Sequence, residues 1–244
     1  MEDNIEINIK SIEQRIISAC INSGRSPEEV RLLMATKTVA AEDIKRAMVL
    51  GKTLIGENKV QELKEKFAAL GDVPHTNHFI GHLQSNKIKD ILKYGVSCVQ
   101  SIDKIELAEK LNERLAIAKK KMDILIQVNT SNEDSKFGVH PDNVVKVVKH
   151  IAKLENVKIQ GLMTIGLLGA DQEKVRGCFK MLKEIQQLVI SEQIPSVNMS
   201  ELSMGMSGDL EIAIEEGATI IRVGTAIFGV RVTPDSYYWN ENTQ

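Results

Sequence analysis

Short apolar runs alternate with amphipathic segments at helical spacing along most of this chain, and the alternation repeats eight times after one leading helix. The leading segment sets Ile5, Ile9, Ile12, Ile16 and Cys20 on one stripe and stops near Gly24. Ser26 and Glu29 form a capping box just ahead of the first predicted strand, Val30 to Lys37. Further strands are predicted at Leu54-Ile55, His78 to Leu83, Val96 to Ile102, Ile124 to Asn129, Val157 to Ile165, Glu201 to Met206 and Thr219 to Gly224. The intervening helices carry Ile44, Ala47 and Met48; Val60, Leu63, Phe67 and Leu70; and Ile105, Ala108, Leu111 and Leu115, the last capped by Asp103 with Glu106. Later ones run from about Pro141 to Leu154, through Val175, Phe179, Leu182 and Ile185, and from Ser207 to Glu216.

Strands joined through helices pair in parallel with right-handed crossovers. Eight such units match a closed TIM-type (β/α)₈ barrel with an extra N-terminal helix, an α/β fold. A doubly wound open sheet is the alternative, but it lacks support from a Gly-x-Gly-x-x-Gly turn after the first strand. Residues 1–234 read as the barrel and 235–244 as a polar C-terminal tail holding Tyr237-Tyr238-Trp239.

Apolar residues make up 43% of the 244, ample for a buried core, while a net charge of −2 argues against a nucleic-acid or membrane partner. Cys20, Cys98 and Cys178 lie far apart, with no CxxC pair or Cys/His cluster, so neither a disulfide framework nor a metal site is expected. The polar start Met1-Glu2-Asp3-Asn4 is unlike a secretory signal, and no apolar run approaches the roughly 20 residues that span a bilayer. A soluble, cytoplasmic protein is expected.

Barrel active sites lie at the C-terminal ends of the strands. Here those ends hold Lys37, Asn58, His82, Asn129, Met163, Ser203, Met204 and Arg222. Lys37 shares strand parity with Leu33 and Ala35. If that face is the interior, an ammonium is costly there, and condensation with an aldehyde removes the cost. The plainer reading is a lysine just past the strand with its head in water. Ser203-Met204-Gly205-Met206-Ser207-Gly208-Asp209 and Arg222-Val223-Gly224-Thr225 are donor-rich turns after the seventh and eighth strands, where barrels commonly bind phosphate. Such turns also serve simply as connectors. Pyridoxal phosphate carries both an aldehyde and a phosphate and would satisfy both features.

Several segments then resemble the pyridoxal phosphate homeostasis protein family: Met34-Ala35-Thr36-Lys37-Thr38, Gly56-Glu57-Asn58, His78 through Lys87, Val128-Asn129 through Lys136-x-Gly138, Gly161-Leu162-Met163-Thr164, Leu202 through Asp209, and Arg222 through Gly229. They run in order from about residue 30 to 230, with Asn77 a departure where the family often has tryptophan. The resemblance implies a barrel like the N-terminal domain of alanine racemases and a Schiff base on Lys37. It implies a phosphate held by Ser207, Gly224 and Thr225, and Arg222 near the pyridine nitrogen or the phosphate. Asn58, His82, Met163, Ser203 and Met204 would line the ring pocket.

The resemblance further implies a monomeric, non-catalytic carrier that buffers pyridoxal phosphate and serves apo-enzymes that use it. A fixed cation near the ring nitrogen opposes its protonation and makes a poor electron sink. The competing reading is a fold-type-III amino acid racemase. That reading expects a second domain and a partner-supplied tyrosine, and the sequence offers only Tyr237 and Tyr238 in the tail. A metal-dependent barrel hydrolase would need carboxylates and histidines clustered at strand ends, a pattern not evident here.

Overall fold

A computed structural model of the protein describes residues 4–133, 137–167 and 170–229. Lys136 and the 235–244 tail with its aromatic cluster lie outside the described residues. Eight parallel strands close in sequence order: β1 Arg31–Ala35, β2 Leu54–Glu57, β3 Thr76–Phe79, β4 Val96–Ile102, β5 Met122–Gln127, β6 Val157–Met163, β7 Glu201–Ser203 and β8 Ile220–Val223. Pairing of β1 with β8, Leu33 opposite Arg222, completes the barrel. Helices α1 Asn4–Asn22, α2 Ala41–Val49, α3 Val60–Leu70, α4 Ile88–Lys93, α5 Ile105–Ala118, α6 Val144–Ile151, α7 Gln172–Ser191, α8 Leu210–Glu215 and α9 Thr225–Phe228 surround it. The expected (β/α)₈ architecture is the one observed.

Side chains that alternate along each strand divide the apolar material into two layers. Met34, Ile55, Val99, Ile124, Leu162 and Ile221 face outward and pack beneath the helices. Cys98, Leu125 and Met163 face inward and form a small separate cluster. Burial of Ile5, Ile9, Ile12 and Ile16 on α1 stabilises by roughly 2 kcal/mol per side chain. That helix packs on α8 and α9. From it, Arg15 donates to both carboxylate oxygens of Glu211 at 2.6 and 2.9 Å and to the Ser207 carbonyl at 3.0 Å. Asn8 donates to the Ile227 carbonyl at 2.9 Å. The extra helix thus braces the loops after β7 and β8.

The capping box of Ser26 and Glu29 forms as read. Boundaries differ where the chain turns at the barrel mouth. The third strand ends at Phe79 rather than Leu83 because Gly81 folds onto the loop after β2: a Cβ there would lie 2.0 Å from the Asn58 carbonyl oxygen. The seventh strand stops at Ser203 because Gly205 adopts φ +89, outside any strand conformation. Asp103 does not cap α5; Lys104 occupies the N-cap without a side-chain bond, and Asp103 turns instead toward His82. The helix read from Ser207 begins at Leu210, where Asp209 Oδ1 accepts the Met206 N–H at 2.6 Å.

Candidate functional site

At the mouth, three neighbouring strands bring Lys37, Arg222 and Ser203 to one end of the barrel. Lys37 lies two residues past β1, on the parity of the interior-facing Leu33, and is only 9% exposed. Most of the residue is therefore withdrawn from solvent.

Arg222 on β8 is 5% exposed. Its Nη1 donates to Ser203 Oγ at 2.7 Å and its Nη2 to the Thr164 carbonyl at 2.7 Å. Burial lowers its pKa to about 10, partly offset by the Asp209 carboxylate, so the guanidinium stays charged at neutral pH. Ser203 in turn donates to Gln100 Oε1 at 2.6 Å. The Gln100 amide nitrogen then faces His78 Nδ1 at 2.8 Å. Burial pushes His78 down to about 4, so the imidazole is neutral and its Nδ1 accepts. The bonds of this interior chain run from Arg222 toward His78, and with the Thr164 carbonyl they fix the guanidinium fork in place.

The wall beside this chain is apolar and firm. Met163 pairs in register with Ser203 and belongs to the inner cluster. Thr164, just past β6, donates to the Val128 carbonyl at 3.0 Å and meets the Thr130 hydroxyl at 2.9 Å. On the far side of β1, Asn58 follows β2, and its Oδ1 is buried with no hydrogen-bond partner among the described residues. A buried acceptor with unmet demand is expected to meet a ligand or water.

The loop after β7 is tied to β8 by the Arg222 N–H donating to the Gly205 carbonyl at 3.0 Å. Gly224 precedes the short helix α9, and Thr225 opens it, exposed. Ser207 is half-buried in the adjacent turn. This is the position at which barrels present free N–H groups to an anion.

Two expected residues stand apart. Met204 is fully buried but belongs to the outer layer beneath the helices, because alternation turns it away from the interior-facing Ser203; only its backbone can face the mouth. His82 sits toward the loops after β4 and β5, its Nδ1 3.5 Å from Asp103 and its ring stacked 3.8 Å from Phe137. Conversely, Thr164, Gln100 and His78 were not singled out as site residues. Gln100 carried a usable signal, a polar residue on the interior parity of Cys98 within an otherwise apolar strand.

Fold and mouth together define a class: a closed parallel barrel with a buried amine, a buried guanidinium and donor-rich turns at one end, matching over residues 4–232 the family described as alanine racemase, N-terminal domain. The chain belongs to the pyridoxal phosphate homeostasis protein family. It is 40% identical over 223 residues to the "Pyridoxal phosphate homeostasis protein" of Aquifex aeolicus, covering 91% of this chain and 96% of that one. The crystal structure of a protein from Bifidobacterium adolescentis superimposes with a TM-score of 0.87 at 36% identity, covering 93% of this chain and 97% of that one. PipY of Synechococcus elongatus PCC7942, solved with PLP bound, superimposes with a TM-score of 0.78 at 33% identity, covering 89% and 100%.

Proposed function

We propose that the protein binds pyridoxal phosphate through Lys37 and acts as a carrier that buffers this cofactor. The observation that carries the reading is a lysine 9% exposed at the end of β1, in the same mouth as a buried, charged Arg222. A charged amine loses hydration in such a place, and an imine removes the charge. Lys37 would supply the amine that holds the cofactor through its aldehyde, with water as the other product. Ser207, Gly224 and Thr225 hold the phosphate, and Arg222, Asn58, Ser203 and Met163 bound the ring pocket, with His82 and the Met204 backbone at its margin. The donor set fits the group: an aldehyde-reactive amine, anion-binding turns and an apolar wall in one mouth. The PLP-bound PipY neighbour and the shared homeostasis name support the same cofactor.

When bound, pyridoxal phosphate supplies an electron sink, and the protein determines how far that sink is used. Arg222 is held by Ser203 and Thr164 and keeps its proton at neutral pH, so it cannot protonate a ring nitrogen. This favours holding the cofactor over carbanion chemistry at an amino acid. The carrier reading places the protein in the cytoplasm as a monomer that hands the cofactor to apo-enzymes; no described helix is long and apolar enough to cross a membrane.

The test is an absorbance spectrum of the purified protein, followed by borohydride reduction and mass analysis. A visible band bleached by borohydride, with the adduct on Lys37 and no band in Lys37→Ala, is the expected result. A band retained in that variant moves the cofactor to another lysine. Incubation with D- and L-alanine and a panel of other amino acids separates carrier from racemase, and turnover well above background overturns the carrier.

A further inference from the structure

Lys37 is gripped from outside the barrel. Its peptide group with Thr36 is held on the carbonyl side, where the Thr36 oxygen accepts from Lys66 Nζ at 2.6 Å. The next peptide group is held on the amide side, where the Thr38 N–H donates to Glu62 Oε2 at 3.1 Å. Glu57, at the end of β2, completes the set: its Oε1 accepts from Lys66 at 2.8 Å and from the Thr36 hydroxyl at 2.6 Å. Glu57 is 1% exposed and Lys66 8%, so the contact is buried, and burial raises the Glu57 carboxyl to about 8 against the opposing pull of Lys66. Thr38 adopts φ +63, a left-handed conformation unusual for a β-branched residue, and such a conformation persists only where its surroundings enforce it.

None of these three side chains belongs to the pocket described above, yet together they fix the backbone on both sides of one residue. We propose that Glu57, Glu62 and Lys66 are positioning residues for Lys37: they set the direction of its Cα–Cβ bond and so present the amine to an aldehyde at the mouth. The proposal rests on the imine assignment of the preceding section. A four-carbon stem has many rotamers, and a fixed origin reduces the misplaced ones that cannot reach the reacting carbon. Loosening the clamp therefore weakens the covalent link, while the contacts assigned to the loops after β7 and β8 and to Met163 on β6 persist.

Two ligands separate these contributions. Pyridoxal 5′-phosphate forms the imine, whereas pyridoxine 5′-phosphate carries an alcohol in place of the aldehyde and cannot. Each is titrated into stripped wild-type protein, Glu62→Ala, Glu62→Gln and the paired Glu57→Gln/Lys66→Met variant. Glu62→Ala and the paired variant are expected to bind the aldehyde about tenfold or more weakly while holding the alcohol within about twofold of wild type. Glu62→Gln keeps an acceptor for the Thr38 N–H and is expected to stay close to wild type with both ligands. Equal losses for the two ligands would show that the clamp only maintains the barrel, and unchanged aldehyde affinity would show that it does not aim Lys37; either result overturns the proposal. If the paired variant does not fold, the two Glu62 variants decide alone. Absence of a borohydride-fixed adduct on Lys37 in the unmutated protein rejects the imine assignment itself, and the clamp proposal falls with it.

Discussion

Arg222 on β8 donates to the Ser203 hydroxyl on β7 at 2.7 Å, and Ser203 in turn donates to Gln100 Oε1 on β4 at 2.6 Å. A serine so placed has both of its roles committed, acceptor to a cation and donor to an amide. Ser203→Ala leaves a buried guanidinium N–H and the Gln100 carbonyl without these partners, and should cost about 2 kcal/mol of stability. Chemical denaturation of Ser203→Ala, Gln100→Leu and the double variant measures it. The two single losses should sum to more than the double loss, because both break one chain of bonds. Strict additivity would dissolve the chain into unrelated contacts.

The pH dependence of stability should carry the signature of His78. Its folded pKa, about 4, lies below the ordinary histidine value, so between pH 6.5 and 4 the unfolded chain binds a proton that the folded one refuses. The contribution is complete above pH 6.5 and is lost as the pH falls toward 4, amounting to roughly 3 kcal/mol. Urea titrations at several pH values, run beside His78→Gln, isolate it. A variant that loses stability in acid as steeply as wild type would assign the loss to other groups.

Ser207→Ala combined with Thr225→Ala removes two hydroxyl donors from the turns assigned to the phosphate. Binding of pyridoxal phosphate should weaken by at least roughly tenfold, since hydrogen bonds to an anion exceed neutral ones. The thermal midpoint of the stripped variant should stay within about 2 °C of wild type, as expected of surface turns. Equilibrium dialysis reads the affinity, and an unchanged value relocates the phosphate.

Gly205→Ala is expected to be costly for two separate reasons. Its φ of +89 is a conformation L side chains rarely adopt, and a Cβ there would lie 2.4 Å from the Cβ of Ala213, which has no flexible end to move. A loss of about 3 kcal/mol is expected, along with weaker cofactor retention, because the Gly205 carbonyl accepts the Arg222 N–H. Denaturation and dialysis on the same preparation test both halves.

Local periodicity was enough to make the architecture legible. Strand runs such as Val96–Ile102 emerged with the observed bounds, and the capping box of Ser26 and Glu29 formed as read, because both depend on residues within a few positions of one another. Strand ends at the mouth were less legible. There Gly81 and Gly205 turn the chain for reasons set by Asn58 and Ala213, which lie elsewhere in the chain.

The sequence by itself determined the number of βα units, their parallel closure and the placement of Lys37, Ser203 and Arg222 at strand ends, since alternation and strand parity are properties of neighbouring residues. Only the tertiary structure decided which polar groups meet. His78, Gln100, Ser203 and Arg222 join because barrel closure brings four strands onto one interior, and Lys66 grips the Thr36 carbonyl because α3 packs over β1 and β2. Hydrogen bonds across such separations depend on strand register and helix docking, neither of which is encoded in any local stretch of chain.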